Sequence, residues 1–192
     1  NVCIGKDSGK MITSGYNSVC IGAYAGMSIT TGNINVCIGY ESGNKITTGD
    51  DNICLGKAAG YAITTADRNT CIGYEAGKCI TTGIDNVCMG GYTGTAVTTG
   101  NYNTCLGKQA GWKITTAGWN VCVGCLSGAA VTTGEYNVCI GYKVGYKSAT
   151  QVITNNYNVG IGYTAMQSIT TGSGNVCIGK DSGKMITSGY NS

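Results

Sequence analysis

A single 17-residue unit recurs along the chain, and this repeat limits the folds that the chain can adopt. Units begin at Asn1 and Ser18, then at every seventeenth residue up to Asn137, and finally at Asn158 and Asn175. The eleven units share the pattern N-V-C-I-G-Y-x-A-G-x-x-I-T-T-G-x-x. A unit of this length cannot bury its own apolar face, so successive units must stack on one another as the coils of a solenoid.

The spacing of the units is irregular at one place. From Asn137 to Asn158 the step is 21 residues, so we expect the four extra residues, around 147–151, to form a surface loop. Residues 175–192 are identical to residues 1–18, which makes ten coils plus the insertion a longer repeat of 174 residues. We therefore expect all 192 residues to form one continuous solenoid.

The residues of the unit predict strands and turns rather than helix. Glycine stands at position 5 in every coil and at position 9 in ten, which is typical of corners that need a positive φ. Two runs rich in β-branched residues lie between the corners, V-C-I at positions 2–4 and I-T-T at positions 12–14. We predict an all-β fold, a parallel β-solenoid or β-roll of eleven stacked coils with two short strands per coil, about 4.8 Å apart.

The alternation of side chains along each strand predicts which columns are buried. Position 4 is Ile, Leu, Met or Val in every coil, and position 12 is Ile or Val, with Val152 as its occupant beside the insertion. We expect these two columns to face each other inside the roll, and Thr13 and its equivalents to point outward. The Cys column at position 3 then faces outward, and because it is apolar we expect a second copy of the chain to cover it.

Ten of the twelve cysteines occupy position 3. They are Cys3, Cys20, Cys37, Cys54, Cys71, Cys88, Cys105, Cys122, Cys139 and Cys177, and Gly160 is the gap in the column. The favoured interpretation is a column of small apolar residues buried at a seam. Disulfides between stacked residues and a metal or cluster array are the alternatives. Cys122 and Cys125 form a single C-x-x-C pair, which is weak evidence for metal, so we expect no metal site; Cys79 and Cys125 are expected at the surface.

Asparagine holds position 1 in ten coils, with Ser18 as the exception. The column consists of Asn1, Asn35, Asn52, Asn69, Asn86, Asn103, Asn120, Asn137, Asn158 and Asn175. A stack of amides at a corner can hydrogen-bond from coil to coil and to the backbone of the turn. We expect a structural asparagine ladder rather than a polar binding strip.

Threonine and aromatic columns suggest two binding functions, which we do not favour. Positions 13 and 14 are adjacent and therefore on opposite faces, so a single outward Thr column results, and this argues against an ice-binding array. Tyrosines at position 6 and aromatic residues near the coil boundary, such as Tyr102 and Trp119, have the flat rings that stack on glycans. We favour a role for these rings in covering corners or in contacts between rods.

The repeat resembles a known group of surface proteins. N-V-C-I-G-Y-x-A-G-x-x-I-T-T-G is similar to the repeats, typically N-T-x-x-G-Y-x-A-G-x-x-x-T-T-G, of long bacterial surface proteins and of tail-fibre-like proteins of phage and giant viruses. More distantly, N-V-C-I-G resembles S-V-A-I-G in the heads of trimeric autotransporter adhesins. The resemblance covers the whole chain and implies a left-handed parallel β-roll that trimerises along its inner strands. This chain differs by having Cys where the adhesin motif has a small residue.

The composition argues against enzymatic and nucleic-acid-binding functions. The chain has no His, so the usual general base and histidine metal ligands are missing. Charged residues make up 11% of the chain and the net charge of +3 is scattered, unlike a nucleic-acid surface. Apolar runs are far shorter than the roughly 20 residues that cross a bilayer. The chain begins at Asn1 without a cationic, apolar leader, so we expect it to belong to a longer or processed protein.

These features together predict a structural, non-enzymatic protein without cofactors. We expect it to form the shaft of an extracellular fibre or filament by association with copies of itself. The alternative is an adhesin or tail fibre in which the same rod binds a cell-surface or glycan receptor. A uniform shaft tolerates the loss of a coil, whereas an adhesin needs an irregular patch, for which the insertion around 147–151 is the strongest candidate.

Overall fold

Eleven three-residue strands, one per coil, form a single parallel sheet in the computed structural model, which describes residues 1–189. Each strand occupies positions 2–4 of its coil and lies beside the next strand in chain order. The strands are β1 (Val2–Ile4), β2 (Val19–Ile21), β3 (Val36–Ile38), β4 (Ile53–Leu55), β5 (Thr70–Ile72), β6 (Val87–Met89), β7 (Thr104–Leu106), β8 (Val121–Val123), β9 (Val138–Ile140), β10 (Val159–Ile161) and β11 (Val176–Ile178). No helix occurs within the described residues, and the predicted all-β parallel solenoid is confirmed.

Every strand pairs in register with its neighbours. Val2 pairs with Val19 and Cys3 with Cys20, and the same correspondence of positions continues up to β10 and β11. Strands in a sheet lie about 4.8 Å apart, so each side chain stacks on the equivalent side chain of the next coil at that distance. The chain is therefore a set of side-chain columns that run along the rod.

The run at positions 12–14 does not form the second strand predicted for each coil. Between the second and third coils, the N–H groups of Thr30 and Gly32 both donate to the carbonyl of Thr47, at 2.9 Å and 3.2 Å. Two donors that converge on one carbonyl bend the backbone, because an extended ladder would give each donor its own acceptor. Within residues 1–189, the run forms only an isolated bridge, between Val131 and Ile153.

The Cys column lies inside the solenoid and position 4 lies outside, which reverses the predicted faces. Cys37 and Ile46, at positions 3 and 12, are 0% exposed, whereas Ile53 and Leu55, at positions 2 and 4, are each 41% exposed. The reason is the width of the interior: a Cβ placed on Gly43 would lie 2.5 Å from the sulfur of Cys37 and 2.9 Å from Cδ1 of Ile46. The interior thus accommodates one large aliphatic residue per coil, at position 12, and the residues opposite it must be small.

The residue that fills the buried position 12 beside the insertion is Ile153 and not Val152. Ile153 is 2% exposed and Val152 is 45% exposed. Ile153 also forms the bridge with Val131, which holds position 12 in the preceding coil. The prediction assigned position 12 to Val152 by counting back from Asn158, and this was wrong. The insertion shifts the inward-facing side chain by one residue.

The insertion is tied to the body of the solenoid on both sides. Lys113, two coils earlier, donates from Nζ to the carbonyl of Ala149 and, at 2.8 Å, to that of Gln151. The side-chain amide of Gln151 donates to the carbonyl of Ile169 in the following coil at 2.8 Å. Residues 147–150 are exposed. The insertion thus projects from the rod while these hydrogen bonds fix its base.

One coil replaces the usual pair of core residues with another pair. Elsewhere Cys stands at position 3 and Gly at position 9, but β10 has Gly160 at position 3, and position 9 of that coil is Met166. Met166 is 1% exposed, and a Cβ on Gly160 would overlap the end of its side chain and would lie 2.6 Å from Val144. The thioether of Met166 therefore occupies the space that a Cys side chain fills in the other coils.

This exchange predicts strong coupling between positions 3 and 9. Gly160→Cys alone should destabilise the protein, since the new side chain meets Met166, and Met166→Gly alone should leave a cavity. The double variant should be more stable than the sum of the two single effects by about 1 to 3 kcal/mol. Denaturant unfolding of the four proteins measures this coupling, and additive effects would show that the two positions do not share one space.

Candidate functional site: side-chain ladders and the outer sheet face

The Cys column forms a single file of thiols inside the rod. Nine of its ten members are 0–3% exposed, whereas Cys3, in the first coil, is exposed. All twelve cysteines are free thiols. The favoured interpretation, a column of small buried apolar residues, matches this geometry, but the chain's own coils shield the column and no second copy is needed to cover it.

Hydrogen bonds between stacked thiols, together with burial, raise the pKa of some members of the column. Hydrogen bonds with Cys122 and Cys88, together with burial, raise the pKa of Cys105 well above its ordinary value. The hydrogen bond with Cys122 and burial likewise raise the pKa of Cys139, and burial alone raises that of Cys177. Thiolate is the reactive form of cysteine, so Cys105, Cys139 and Cys177 are poor nucleophiles.

The column lacks the convergent geometry of a metal centre. Metal sites gather three or four ligands around one point, whereas these thiols follow one another along a line, and no group of three or more His, Cys, Asp or Glu suited to a metal occurs among residues 1–189. The two thiols of the C-x-x-C pair lie in different environments, since Cys122 is buried in the core and Cys125 is partly exposed.

The asparagine column forms a continuous hydrogen-bonded ladder. The N–H and Nδ2 of Asn52 donate to Oδ1 of Asn35, at 3.1 Å and 3.2 Å, and Nδ2 also donates to the carbonyl of Ala66 at 2.7 Å. The same bonds link Asn158 to Asn175. At the exception, Ser18 donates its N–H to Oδ1 of Asn1 and so continues the ladder. The buried amides of this column are thereby satisfied, and they tie position 1 to position 15 of the same coil.

The outward threonine column is position 14 rather than position 13. The hydroxyl of Thr30, at position 13, donates to the carbonyl of Thr47 in the next coil at 3.1 Å, and Thr31 is the exposed residue of the pair. Thr13 keeps the same bond, to the carbonyl of Thr30, although it is exposed in the first coil. The hydroxyls at position 13 therefore join coils, and they form a ladder that the sequence analysis missed.

A third ladder, at position 16, was also missed. Oδ1 of Asn33 accepts the N–H of Tyr16 at 3.1 Å, and Oδ1 of Asp50 accepts the N–H of Asn33 at 2.6 Å. Asn or Asp stands at this position in five coils, as Asn33, Asp50, Asp67, Asn101 and Asn156. These residue types favour turns because their side chains bond to nearby backbone, and this was the signal available in the sequence.

Four aromatic residues at position 17 stack into one column, which we call the aromatic ladder. Successive ring centroids of Tyr102, Trp119, Tyr136 and Tyr157 are 5.4, 5.1 and 5.1 Å apart, with interplanar angles of 20°, 8° and 8°. The rings cover each other's faces, so only edges and the two end faces are open to solvent. This leaves little flat surface for a sugar ring and favours a role within or between rods.

The outer face of the sheet, defined as positions 2 and 4 of the eleven strands, is apolar along its whole length. Twenty of its twenty-two side chains are Val, Ile, Leu or Met, and the other two are Thr70 and Thr104. All of them are exposed or half-buried. An all-parallel sheet normally has both faces covered, so this surface is the strongest candidate for a contact with another molecule.

Enclosed space in the molecule is small. A cavity of about 10 Å³ lies between coils beside Ile153 and Met166, which is too small for a substrate. None of the described residues belongs to a helix long and apolar enough to cross a membrane. Among the described residues, the ladders and the outer face of the sheet are the candidate functional features.

The burial of the column predicts a simple pattern of thiol reactivity. Cys3, Cys79 and Cys125 should react quickly with iodoacetamide in the native protein, and the nine buried thiols at least about 100-fold more slowly, since they react only when the solenoid opens. Mass spectrometry of timed samples measures the rates. Denatured protein is the control, and fast labelling of the nine thiols in native protein would place them outside the core.

The raised pKa of Cys105 predicts a loss of stability in alkali. Above the ordinary thiol pKa of 9.0 the unfolded chain releases this proton and the folded chain retains it, so the free energy of unfolding falls as pH rises. The slope is about 1.4 kcal/mol per pH unit for each such thiol, and the stability is fully present below that pKa. Cys105→Ala should reduce the slope by this amount in urea unfolding between about pH 8.5 and 10.5. An unchanged slope would contradict the shift.

Comparison with known proteins assigns no family. The chain matches no protein-family model, no curated protein and no solved structure.

Proposed function

We propose that the chain is a structural, non-enzymatic subunit that forms the shaft of a self-assembling extracellular fibre or filament. The observation that carries the proposal is the in-register stack of equivalent coils, in which every strand binds the next one through the same backbone groups. Unpaired strand edges add further strands readily. The extracellular location follows from the resemblance of the repeat to those of surface and tail-fibre proteins.

The identity of the first and last coils supports growth along the axis. Residues 175–192 have the sequence of residues 1–18. In β1, the N–H of Val2 donates upward to the carbonyl of Ser18 in the next coil at 2.8 Å. Val176 is the equivalent residue of β11. The last coil therefore has the same sequence as the first coil at the surface to which the second coil binds. A further coil of this type therefore has a matching place to bind.

The columns also suit a mechanical role. Each interior coil is joined to its neighbours by backbone bonds, by the asparagine ladder and by the hydroxyls at position 13. Stability of such arrays comes from contacts between adjacent repeats and so is spread along the rod. A shaft needs this distribution, because no single coil then holds the structure together.

The second candidate is an adhesin or tail fibre that binds a receptor or glycan. The observation that favours it is the projection at 147–150, which is exposed while its base is held by Lys113 and Gln151. A held projection on a uniform rod is a suitable place for specific recognition. Deletion of 147–150 distinguishes the two: a shaft still assembles, whereas an adhesin keeps its rod and loses binding to cells.

Growth at the ends can be tested by blocking one edge. Val176→Pro removes the upward N–H of β11 but none of its bonds to β10, because position 2 donates only to the coil above. Electron microscopy of the unmodified chain should show filaments, whereas the Pro variant should give only particles of one chain length, about 50 Å.

Val176→Thr is the matched control for this experiment, since it changes the side chain and keeps the N–H. This variant should still form filaments. If the unmodified chain remains as single rods at micromolar concentration, or if the Pro variant forms filaments as readily, end-to-end growth through this edge is wrong.

A further inference from the structure

We propose that the outer face of the sheet binds the same face of a second copy of this chain, with the two rods parallel and related by a two-fold axis along the rod. The inference rests on the proposed shaft function and adds to it the lateral contact between rods. It replaces the expectation that a second copy covers the Cys column, which the chain itself buries.

The apolar character of the outer face is the first step. Isolated soluble proteins rarely expose a continuous apolar patch of more than a few hundred Å². Here the eleven strands extend roughly 50 Å along the rod and three extended residues add about 10 Å of width, which gives about 500 Å² of flat surface. The residues on either side of the strands bring this area close to the roughly 800 Å² that each partner buries in a standard interface.

The two borders of the outer face differ in charge. The border that follows the strands, at position 6, has the four lysines Lys6, Lys57, Lys108 and Lys180 and no acidic residue. The border that precedes the strands, at position 17, has Asp51, Asp85 and the aromatic ladder, and its one cation, Arg68, is bound to Asp85 at 2.8 Å. Most residues of the two borders are polar or aromatic, as in the rim of an interface.

This asymmetry selects the orientation of the two copies. A two-fold axis along the rod reverses the strand direction of the partner, so position 2 faces position 4 and the lysine border faces the acidic and aromatic border. A two-fold axis along the strands would place each border against its own copy, with lysine columns opposed. Juxtaposed like charges disfavour that second arrangement.

In register, this arrangement matches specific side chains. Asp51 precedes β4 and Lys57 follows it, so the carboxylate of one copy lies opposite the ammonium group of the other, twice in each dimer. At β7, Tyr102 precedes the strand and Lys108 follows it, so no like charges oppose each other there. No strand of the eleven has the same charge on both of its borders.

The first experiment separates lateral from end-to-end association. The Val176→Pro variant blocks growth at the edge, so its sedimentation equilibrium should report a monomer–dimer equilibrium alone, with dimers at micromolar concentration. Adding Leu106→Lys, in the middle of the outer face, should raise the dimer Kd at least about tenfold. The matched control is Thr116→Lys, which places the same charge on the exposed position 14 and should leave the Kd unchanged.

The second experiment tests the orientation. In the same background, Asp51→Lys and Lys57→Asp should each weaken the dimer, and the double swap should restore it, because the exchanged charges face each other again across the two-fold axis. Failure of the double swap to restore binding would overturn the parallel arrangement. Circular dichroism and urea unfolding of each variant show whether the fold is intact.

The outcomes distinguish this inference from the shaft function. If the Val176→Pro protein is a monomer at all concentrations while the unmodified chain forms filaments, the lateral contact is wrong and end-to-end growth stands. If the Pro variant dimerises through the outer face while the unmodified chain forms no filaments, the contact stands and the shaft is wrong. Equal effects of Leu106→Lys and Thr116→Lys would show that charge alone disrupts association, which would also overturn the inference.

Discussion

In-register hydrogen bonding between equivalent residues of successive coils is the interaction on which the rest of this structure depends. It places each side chain directly above its own counterpart, at the spacing of strands in a sheet. Side chains that tolerate such stacking are those that bond to or pack on themselves. Amides, hydroxyls, thiols, aliphatic chains and aromatic rings all do so here. This explains why the columns at positions 1, 3 and 12 are nearly uniform in residue type.

The second constraint is the narrow interior that short coils create. Each coil has room for one large aliphatic side chain, at position 12, and the opposite wall consists of Cys at position 3 beside Gly at position 9. In the coil of β10, Gly160 replaces the Cys at position 3 and Met166 replaces the Gly at position 9. The larger side chain at position 9 fills the space that is lost at position 3. The nine buried cysteines of the column are best understood as side chains of suitable size, since they are free thiols in single file.

These constraints leave two kinds of surface unsatisfied, and both are suited to copies of the same chain. Along the rod axis each strand of the stack presents backbone groups to the next coil, and the outer face presents an apolar surface at right angles to this axis. Growth along the axis makes a filament, and pairing through the outer face thickens it. The proposed shaft thus uses the surfaces that the coil cannot bury by itself.

The sequence by itself determined the solenoid, its eleven coils, the strands at positions 2–4 and the asparagine ladder, because a 17-residue repeat has to stack and stacked amides bond to each other. It did not determine which side of those strands is inside. Alternation along the strand places Cys37 and Ile38 on opposite faces of the sheet, but it does not show which face is inside. The aliphatic residues at position 4 suggested that their face is inside, and this was wrong. The face that lies inside depends on how closely Gly43 and Ile46 approach the side chain of Cys37 in the interior. That distance exists only in the folded coil, and for the same reason Ile153 rather than Val152 fills the core beside the insertion.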